Sequence, residues 1–412
     1  MKQSERQLHE ELGSQEQPVG LPAFQPSGLC PAMTDVFIIT GEPSGELYGA
    51  LLSGELRSLK KDIRICGVGG ERMMAEGVEL IAGITGAFGL IEAVSSIKTL
   101  RDVFSRITER LEQDRPSVVV LIDFPDFNLK VAQRAKSLGI KVLYYVSPQV
   151  WAWRRRRIRK IKALSDRIAV VLPFEEKIYR DAGADCEFVG HPIMEEIENT
   201  KGSKGFIRES LGLRPDREVL ALLPGSRRHE LKRLMPLVIS MVQCFKRDHP
   251  NFQYILPMAP NLFAVDYQEW SGVLEGLGVK VVRGMATEVL SASDLALIAS
   301  GTSTLQAALC NIPMVVVYKV SPLTYFIGRM LVNVKYISLV NLLMDREVVK
   351  ELIQYKATTE NVVRELDRII NDDQVNRYMT ESFREIRSLY EGKRASRRVA
   401  EMIGEMSGWL SG

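Results

Sequence analysis

Short runs of consecutive apolar residues, many of them β-branched, alternate along the chain with longer stretches whose apolar positions recur at helical spacing. In the first half the runs are VFIIT from Val36, IRIC from Ile63, VVVLID from Val118, KVLYYV from Lys141 and RIAVV from Arg167. Unbroken apolar runs of this length predict strands buried on both faces, and their alternation with helices predicts a parallel sheet covered on both sides. The pattern pauses in the polar stretch ENTKGSKG beyond His191 and Pro192. It resumes with VLALLP from Val219, FQYILP from Phe252, VKVV from Val279, LALIA from Leu295 and MVVVY from Met314. The expected architecture is therefore α/β, with two doubly wound, Rossmann-like halves over 34–195 and 196–357. A charged, helix-favouring segment over 358–412 follows and ends in an amphipathic stretch reaching Trp409. Ligands of open parallel sheets bind beyond the strand C-terminal ends, so two such halves predict a cleft between them.

Composition narrows the function classes. The 412 residues, 46% hydrophobic and 25% charged, suit two ordinary domains of a globular enzyme. The first 32 residues, rich in Gln, Glu, Ser and Pro, lack a signal-peptide core and any periodicity. They read either as a disordered leader over 1–33 or as a mis-called start, with translation beginning at Met33. No stretch approaches the roughly 20 uninterrupted apolar residues of a membrane span; the nearest, Met314 to Val334, contains Lys319, Pro322 and Arg329. Five scattered cysteines without a CxxC spacing suggest neither a disulfide framework nor a zinc site and fit a reducing cytosol. Four histidines in no HExxH or HxxxH arrangement argue against metal hydrolysis and Ser-His-Asp chemistry. The net charge of +3 leaves any electrostatic preference to local clusters.

Several segments at strand ends carry candidate chemistry. TGEPSGELYGA, Thr40 to Ala50, follows a strand and opens a helix. Gly41 and Gly45 allow a tight turn and close approach to a ligand; the competing reading is a plain strand-to-helix turn capped by Ser44. It matches neither GxGxxG nor a P-loop. In LIDFPDFN, Asp123 ends a strand and is the candidate base for an attacking hydroxyl, while Asp126 either shares the cleft or caps the next helix. YYVSPQVWAWRRRRIRKIKAL joins Trp151 and Trp153 to Arg154, Arg155, Arg157 and further basic residues up to Lys162. Such a face suits anionic headgroups at about 1 kcal/mol per basic residue, with a phosphate-binding patch or a solvated helix as the rivals. In LALLPGSRRHEL, Gly225, Ser226, Arg227 and Arg228 outline a diphosphate site at a helix N-terminus, against a plain helix start with solvated arginines. In IASGTSTLQAAL, Ser300, Gly301, Thr302 and Thr304 form a hydroxyl-rich turn, and Gln306 stands either toward sugar hydroxyls or in solvent.

Taken in order, GEPSGE, LIDFPDFN, YVSPQVWAWR, FVGHP, LLPGSR, ASGTSTLQ, KVSPLTY and SLVNLL resemble the motifs of the lipid-A-disaccharide synthase family, from about Val36 to about Gln354. The resemblance implies a GT-B glycosyltransferase without metal or cofactor. It implies inverting transfer from UDP-2,3-diacylglucosamine to 2,3-diacylglucosamine 1-phosphate through a β(1→6) bond, with release of UDP. Asp123 would be the base. Arg227, the Gly225–Ser226 backbone and the Ser300 to Thr304 turn would hold UDP, and Glu42, Ser44, Gly45 and Asn341 would line the sugar cleft. A cytoplasmic, peripheral position on the inner face of the inner membrane is implied, with no nucleic-acid partner and homo-oligomerisation left open. Three departures stand out: Glu46 where the family has Asp, Gln306 where it has Glu, and Val340 where it has Pro. Loss of a charge-assisted bond at Gln306 predicts weaker UDP retention, and Val340 predicts a looser turn presenting Asn341. The rival functions are another GT-B transferase or UDP-sugar epimerase, and an inactive lipid- or partner-binding homologue.

Overall fold

A computed structural model of the chain describes residues 34–83, 95–148, 157–200, 202–262, 264–321, 325 and 335–410. The expected leader, and Trp151, Trp153, Arg154 and Arg155 of the basic tract, lie outside these residues. The first half runs β1 (Val36–Thr40), α1 (Pro43–Leu59), β2 (Ile65–Gly69), α2 (Glu71–Ala75), β3 (Glu79–Gly83), α3 (Ser95–Asp114), β4 (Val118–Ile122), α4 (Pro125–Ser137), β5 (Lys141–Tyr145), α5 (Arg157–Leu164), β6 (Arg167–Val170), α6 (Pro173–Asp181) and β7 (Cys186–Phe188). After α7 (Pro192–Asn199) and α8 (Lys204–Ser210) come β8 (Val219–Leu223), α9 (Arg228–Asp248), β9 (Gln253–Met258), α10 (Ala264–Gly276), β10 (Val279–Arg283), α11 (Ala286–Ala292), β11 (Leu295–Ala299), α12 (Thr302–Leu309), β12 (Met314–Tyr318), α13 (Leu339–Met344) and β13 (Lys350–Ile353). The chain closes with α14 (Thr359–Asn371), α15 (Asp373–Ser388) and α16 (Ala395–Ser407).

All the strand pairings are parallel, in the orders β3-β2-β1-β4-β5-β6-β7 and β10-β9-β8-β11-β12-β13. Burial on both faces explains the unbroken apolar runs. Along β1, Val36 and Ile38 join one buried cluster while Phe37 and Ile39 join another, and all four are fully buried. Each such side chain contributes about 1.5–3 kcal/mol. The first cluster continues into the second half, through β8, β9, β11 and β12.

The polar stretch expected as a pause holds the end of α7 and the start of α8. The C-terminal helices divide their packing. α14 lies on α9 and α15 on α12, whereas α16 returns to the first half and lies on α1. There Arg398 grips Glu187 at 2.6 and 2.9 Å, and Lys141 Nζ donates to the Met406 carbonyl at 2.6 Å.

Candidate functional site

In each sheet the strand order reverses once, between β1 and β4 and between β8 and β11. Loops leaving neighbouring strands at such a point diverge to opposite faces of the sheet and open a crevice. Two adjoining cavities occupy these crevices, of about 320 and 240 Å³, and both are lined by Glu42, Ser44, Tyr48, Arg227, Gly301 and Thr302. Asp123 lines the larger; Gly225, Ser226, Ser300 and Gln306 line the smaller.

The loop after β1 is tight because Gly41 abuts Phe124: a Cβ on Gly41 would lie 2.5 Å from the Phe124 side chain. Glu42, not Ser44, occupies the N-cap of α1, with Pro43 pre-set for the first turn. Gly45, expected as a turn residue at the sugar, is instead buried in the first turn of α1 against Ile122 and lines neither cavity. Glu46 also faces away from the cavities. Its carboxylate accepts from Arg72 N at 2.9 Å at the start of α2, and burial pushes its pKa up. The extra methylene relative to Asp therefore serves a helix terminus.

Asp123 follows β4 with φ +52, and Phe124 with φ +44, two successive left-handed residues that are not glycine. Such conformations cost of order 1–3 kcal/mol each and persist only where surrounding bonds hold them. Here Asn128 Nδ2 donates to the carbonyls of Ile122 (3.2 Å) and Asp123 (2.7 Å), and the Tyr144 hydroxyl donates to the Asp123 carbonyl at 3.0 Å. The carboxyl is thereby turned into the cavity. Burial, then the charge of Glu42, raises its pKa to about 7, against the opposing pull of a backbone N–H and Arg227. Asp126 does not share the cleft: it is exposed in the first turn of α4 and pairs with Arg157. Arg157, expected at a membrane, is partly buried and lines the larger cavity, whereas Arg159, Lys160 and Lys162 of the same helix are exposed.

Beyond β8, Gly225 adopts φ +116, and a Cβ there would strike the Glu230 carboxylate. Glu230 accepts from Ser226 N at 2.9 Å and Arg227 N at 3.3 Å. The backbone N–H groups expected to cradle phosphate are thus engaged by an internal carboxylate, and the cation at this loop is the Arg227 side chain. Its Nη2 donates to Glu42 Oε1 across the cleft at 2.6 Å. Arg228 is turned away onto Asp266 at 2.6 Å.

Gly301 and Thr302, at the start of α12, line both cavities, and a Cβ on Gly301 would meet open space. Ser300 Oγ donates to the Ile337 carbonyl at 2.8 Å. Thr304, fully buried, donates to the Gly301 carbonyl and accepts from Leu339 N, so its hydroxyl supports the turn and does not face a ligand. Gln306 is buried with its amide donating to Thr287 Oγ1 at 2.6 Å and Glu196 Oε2 at 3.4 Å, which answers the solvent-facing alternative. Glu196 lines the same cavity, so a carboxylate stands beside the Gln306 amide.

Asn341, expected at the sugar, lines neither cavity. It is fully buried, with Nδ2 donating to the Val349 carbonyl (2.8 Å) and Glu351 (2.9 Å) and Oδ1 accepting from Val348 N and Val349 N. Val340 lies in the first turn of α13 behind the Ser338 cap, and Glu351 binds Ile337 N and Ser338 N, so the turn is held without a proline. The residues of this segment that reach the larger cavity are Ile337 and Leu339.

Sequence reasoning passed over Tyr48, His191 and Glu196. All three sit on helices or at a helix start, and no strand-end signal marks them; FVGHP was visible as a motif but carried no role for His191. Among the described residues, no helix is long and apolar enough to cross a membrane.

Residues 36–403 match the family model described as lipid-A-disaccharide synthetase. A lipid-A-disaccharide synthase from Myxococcus xanthus is 40% identical over 375 residues, covering 90% of this chain and 97% of the relative. A UDP-GlcNAc 2-epimerase from Neisseria meningitidis, solved with UDP-GlcNAc, superposes with a TM-score of 0.63 at 13% identity, covering 90% of this chain and 99% of the other. The glycosyltransferase of kitacinnamycin superposes with a TM-score of 0.59 at 15% identity, covering 91% and 100%. At such low identity the last two similarities concern the fold alone, which is GT-B.

Proposed function

Because the chain belongs to the lipid-A-disaccharide synthase family, we propose that it joins UDP-2,3-diacylglucosamine to 2,3-diacylglucosamine 1-phosphate through a β(1→6) bond and releases UDP. The carrying observation is that Asp123, from the first half, and Arg227, from the second, line one cavity. In a direct displacement the acceptor 6-oxygen forms a bond to the anomeric carbon. The bond from that carbon to the diphosphate breaks with its electron pair, and the hydroxyl proton passes to Asp123. A carboxylate raised to about 7 is matched to that transfer near neutral pH. Because the acceptor oxygen attacks the face of the anomeric carbon opposite the departing diphosphate, the anomeric configuration inverts. Arg227 and the N-terminus of α12 at Gly301 and Thr302 supply positive charge to the departing diphosphate, so the reaction as proposed needs neither metal nor cofactor. In this reading residues 34–195 take the acceptor and face the membrane, and 196–357 take the UDP-sugar, with Glu42 and Ser44 between them.

Exposed Arg159, Lys160 and Lys162, continuing the tract that contains Trp151 and Trp153, support peripheral attachment to an anionic surface, which would be the cytoplasmic face of the inner membrane.

The test is UDP release by the full chain in detergent micelles without added metal, given UDP-2,3-diacylglucosamine with and without the acceptor. Acceptor-dependent release with a tetra-acyl disaccharide product is expected. UDP binding without turnover would instead favour an inactive homologue, and acceptor-independent turnover a different UDP-sugar enzyme.

A further inference from the structure

Two of the residues that line the cavity holding Asp123, Tyr48 and Ser147, carry buried hydroxyls that lack a hydrogen-bond partner among the described residues. Ser147 lies against the Tyr179 hydroxyl. Tyr48, on α1, has no such neighbour among the described residues. It is 2% exposed, lines both cavities, and the groups that act on it electrostatically are the carboxylates of Glu196, Asp123 and Glu42 and the Tyr390 phenol. Burial and these carboxylates hold the phenol protonated, so it is a neutral O–H donor.

A second donor stands beside it. His191 Nδ1 accepts from Ile193 N at 3.2 Å, which places the ring proton on Nε2. The ring is held edge-on to Tyr48 (5.7 Å, 87°) and to Tyr390 (6.1 Å, 82°), and it lines the larger cavity. Burial lowers its pKa to about 3, so near neutral pH it acts as a fixed donor and takes up no proton.

A buried hydroxyl without a partner destabilises the free protein and is repaired when a ligand supplies an acceptor. The surrounding carboxylates repel an anionic ligand atom, which rules against a phosphate oxygen at this spot. An uncharged oxygen, either a sugar hydroxyl or an amide or ester carbonyl, fits both donors. We propose that Tyr48 Oη and His191 Nε2 donate hydrogen bonds to an uncharged oxygen of the acceptor sugar, orienting its nucleophilic hydroxyl toward Asp123. This rests on the transferase reading above.

The experiment compares the wild type, Tyr48→Phe and His191→Asn as full chains in the micellar assay, with UDP binding by calorimetry and melting followed in parallel. Tyr48→Phe removes no hydrogen bond within the protein, so its Tm is expected to stay or rise. The KM for the acceptor is expected to rise roughly tenfold, or about 1.4 kcal/mol, with UDP affinity unchanged. His191→Asn keeps an acceptor for Ile193 N and a good cap while withdrawing the Nε2 donor, so acceptor KM should rise here too. An unchanged acceptor KM in Tyr48→Phe, or a lowered Tm, would overturn the assignment, the latter because it would place the hydroxyl in an internal bond. A wild type without acceptor-dependent UDP release would remove the transferase reading, and this inference with it.

Discussion

Arg227 and Glu42 form a 2.6 Å ion pair that crosses the cleft, joining the loop after β8 to the cap of α1. Glu42 is partly buried, whereas Arg227 is exposed. The pair holds the cation proposed for the diphosphate and sets a negative charge near Asp123. UDP must therefore compete with Glu42. In Glu42→Gln the competitor loses its charge, and UDP is expected to bind several-fold more tightly by calorimetry. In Arg227→Ala the loss of a charge-assisted partner, about 1.5–3 kcal/mol, should weaken UDP roughly 10- to 100-fold. Equal UDP affinity in Glu42→Gln and wild type would show that the pair does not guard the site.

Asp123 should govern the acid limb of the rate profile. With its pKa at about 7, kcat/KM is expected to rise tenfold per pH unit below that value and level off above it. Glu42→Gln removes a charge that raises this pKa, so the limb should move to lower pH. Asp123→Asn should reduce the rate about 10²-fold or more, and Asn tolerates the left-handed backbone at this position. Near-full activity would remove Asp123 from the role of base.

The same shift has a stability consequence. The folded-state pKa of Asp123 lies above the unfolded value of roughly 3.9, so the folded protein retains a proton that the unfolded chain loses between about pH 4 and 7. Stability contributed by this group falls as pH rises through that window. Asp123→Asn should therefore raise Tm at pH 8 and leave it nearly unchanged at pH 4. A Tm gain that does not depend on pH would point to packing instead.

Gln306 donates to Thr287 and Glu196, and Thr287 also donates to Glu196 at 2.7 Å. Gln306→Glu would bring two buried carboxylates together, and one would have to hold a proton. The variant is expected to lose about 1–3 kcal/mol at pH 8 by chemical denaturation, with the deficit shrinking toward pH 5. Adding Glu196→Gln should restore much of it. A stable single variant at pH 8 would show that the two side chains separate.

Asn341 is expected to matter first for folding. Asn341→Ala removes both amide atoms from a fully buried network and strands the N–H groups of Val348 and Val349 together with part of Glu351. A loss of about 3 kcal/mol is expected by denaturant unfolding. Wild-type stability with lost activity would return Asn341 to the sugar.

Most of the strands legible in the sequence are those whose two faces are both covered, such as β1, β4, β8 and β11, because their apolar runs are unbroken; β10, a largely exposed edge strand, was legible from its valines alone. The unread ones are β3, β7 and β13, all at sheet edges, where ELIAG, CEF and KELI are short, half-exposed and interrupted by charge. Asp123 and Arg227 were legible because a charged residue after a central strand must lie near the crevice. Gly45, Thr304 and Asn341 belong to the same motifs yet line neither cavity, a difference that no spacing reveals.

Local pattern alone therefore determined the two α/β halves, the strand ends that carry chemistry and the loops that open helices, since these follow from the burial of consecutive residues. Tertiary structure decided which side chains of those loops face the cavities. Glu230 engages the N–H groups beside Arg227, Glu196 comes to Gln306 from another helix, and the Tyr48 hydroxyl is left without a hydrogen-bond partner among the described residues. The physical reason is that a polar group's role depends on which donors and acceptors surround it, and chain segments distant in sequence bring those together only on folding.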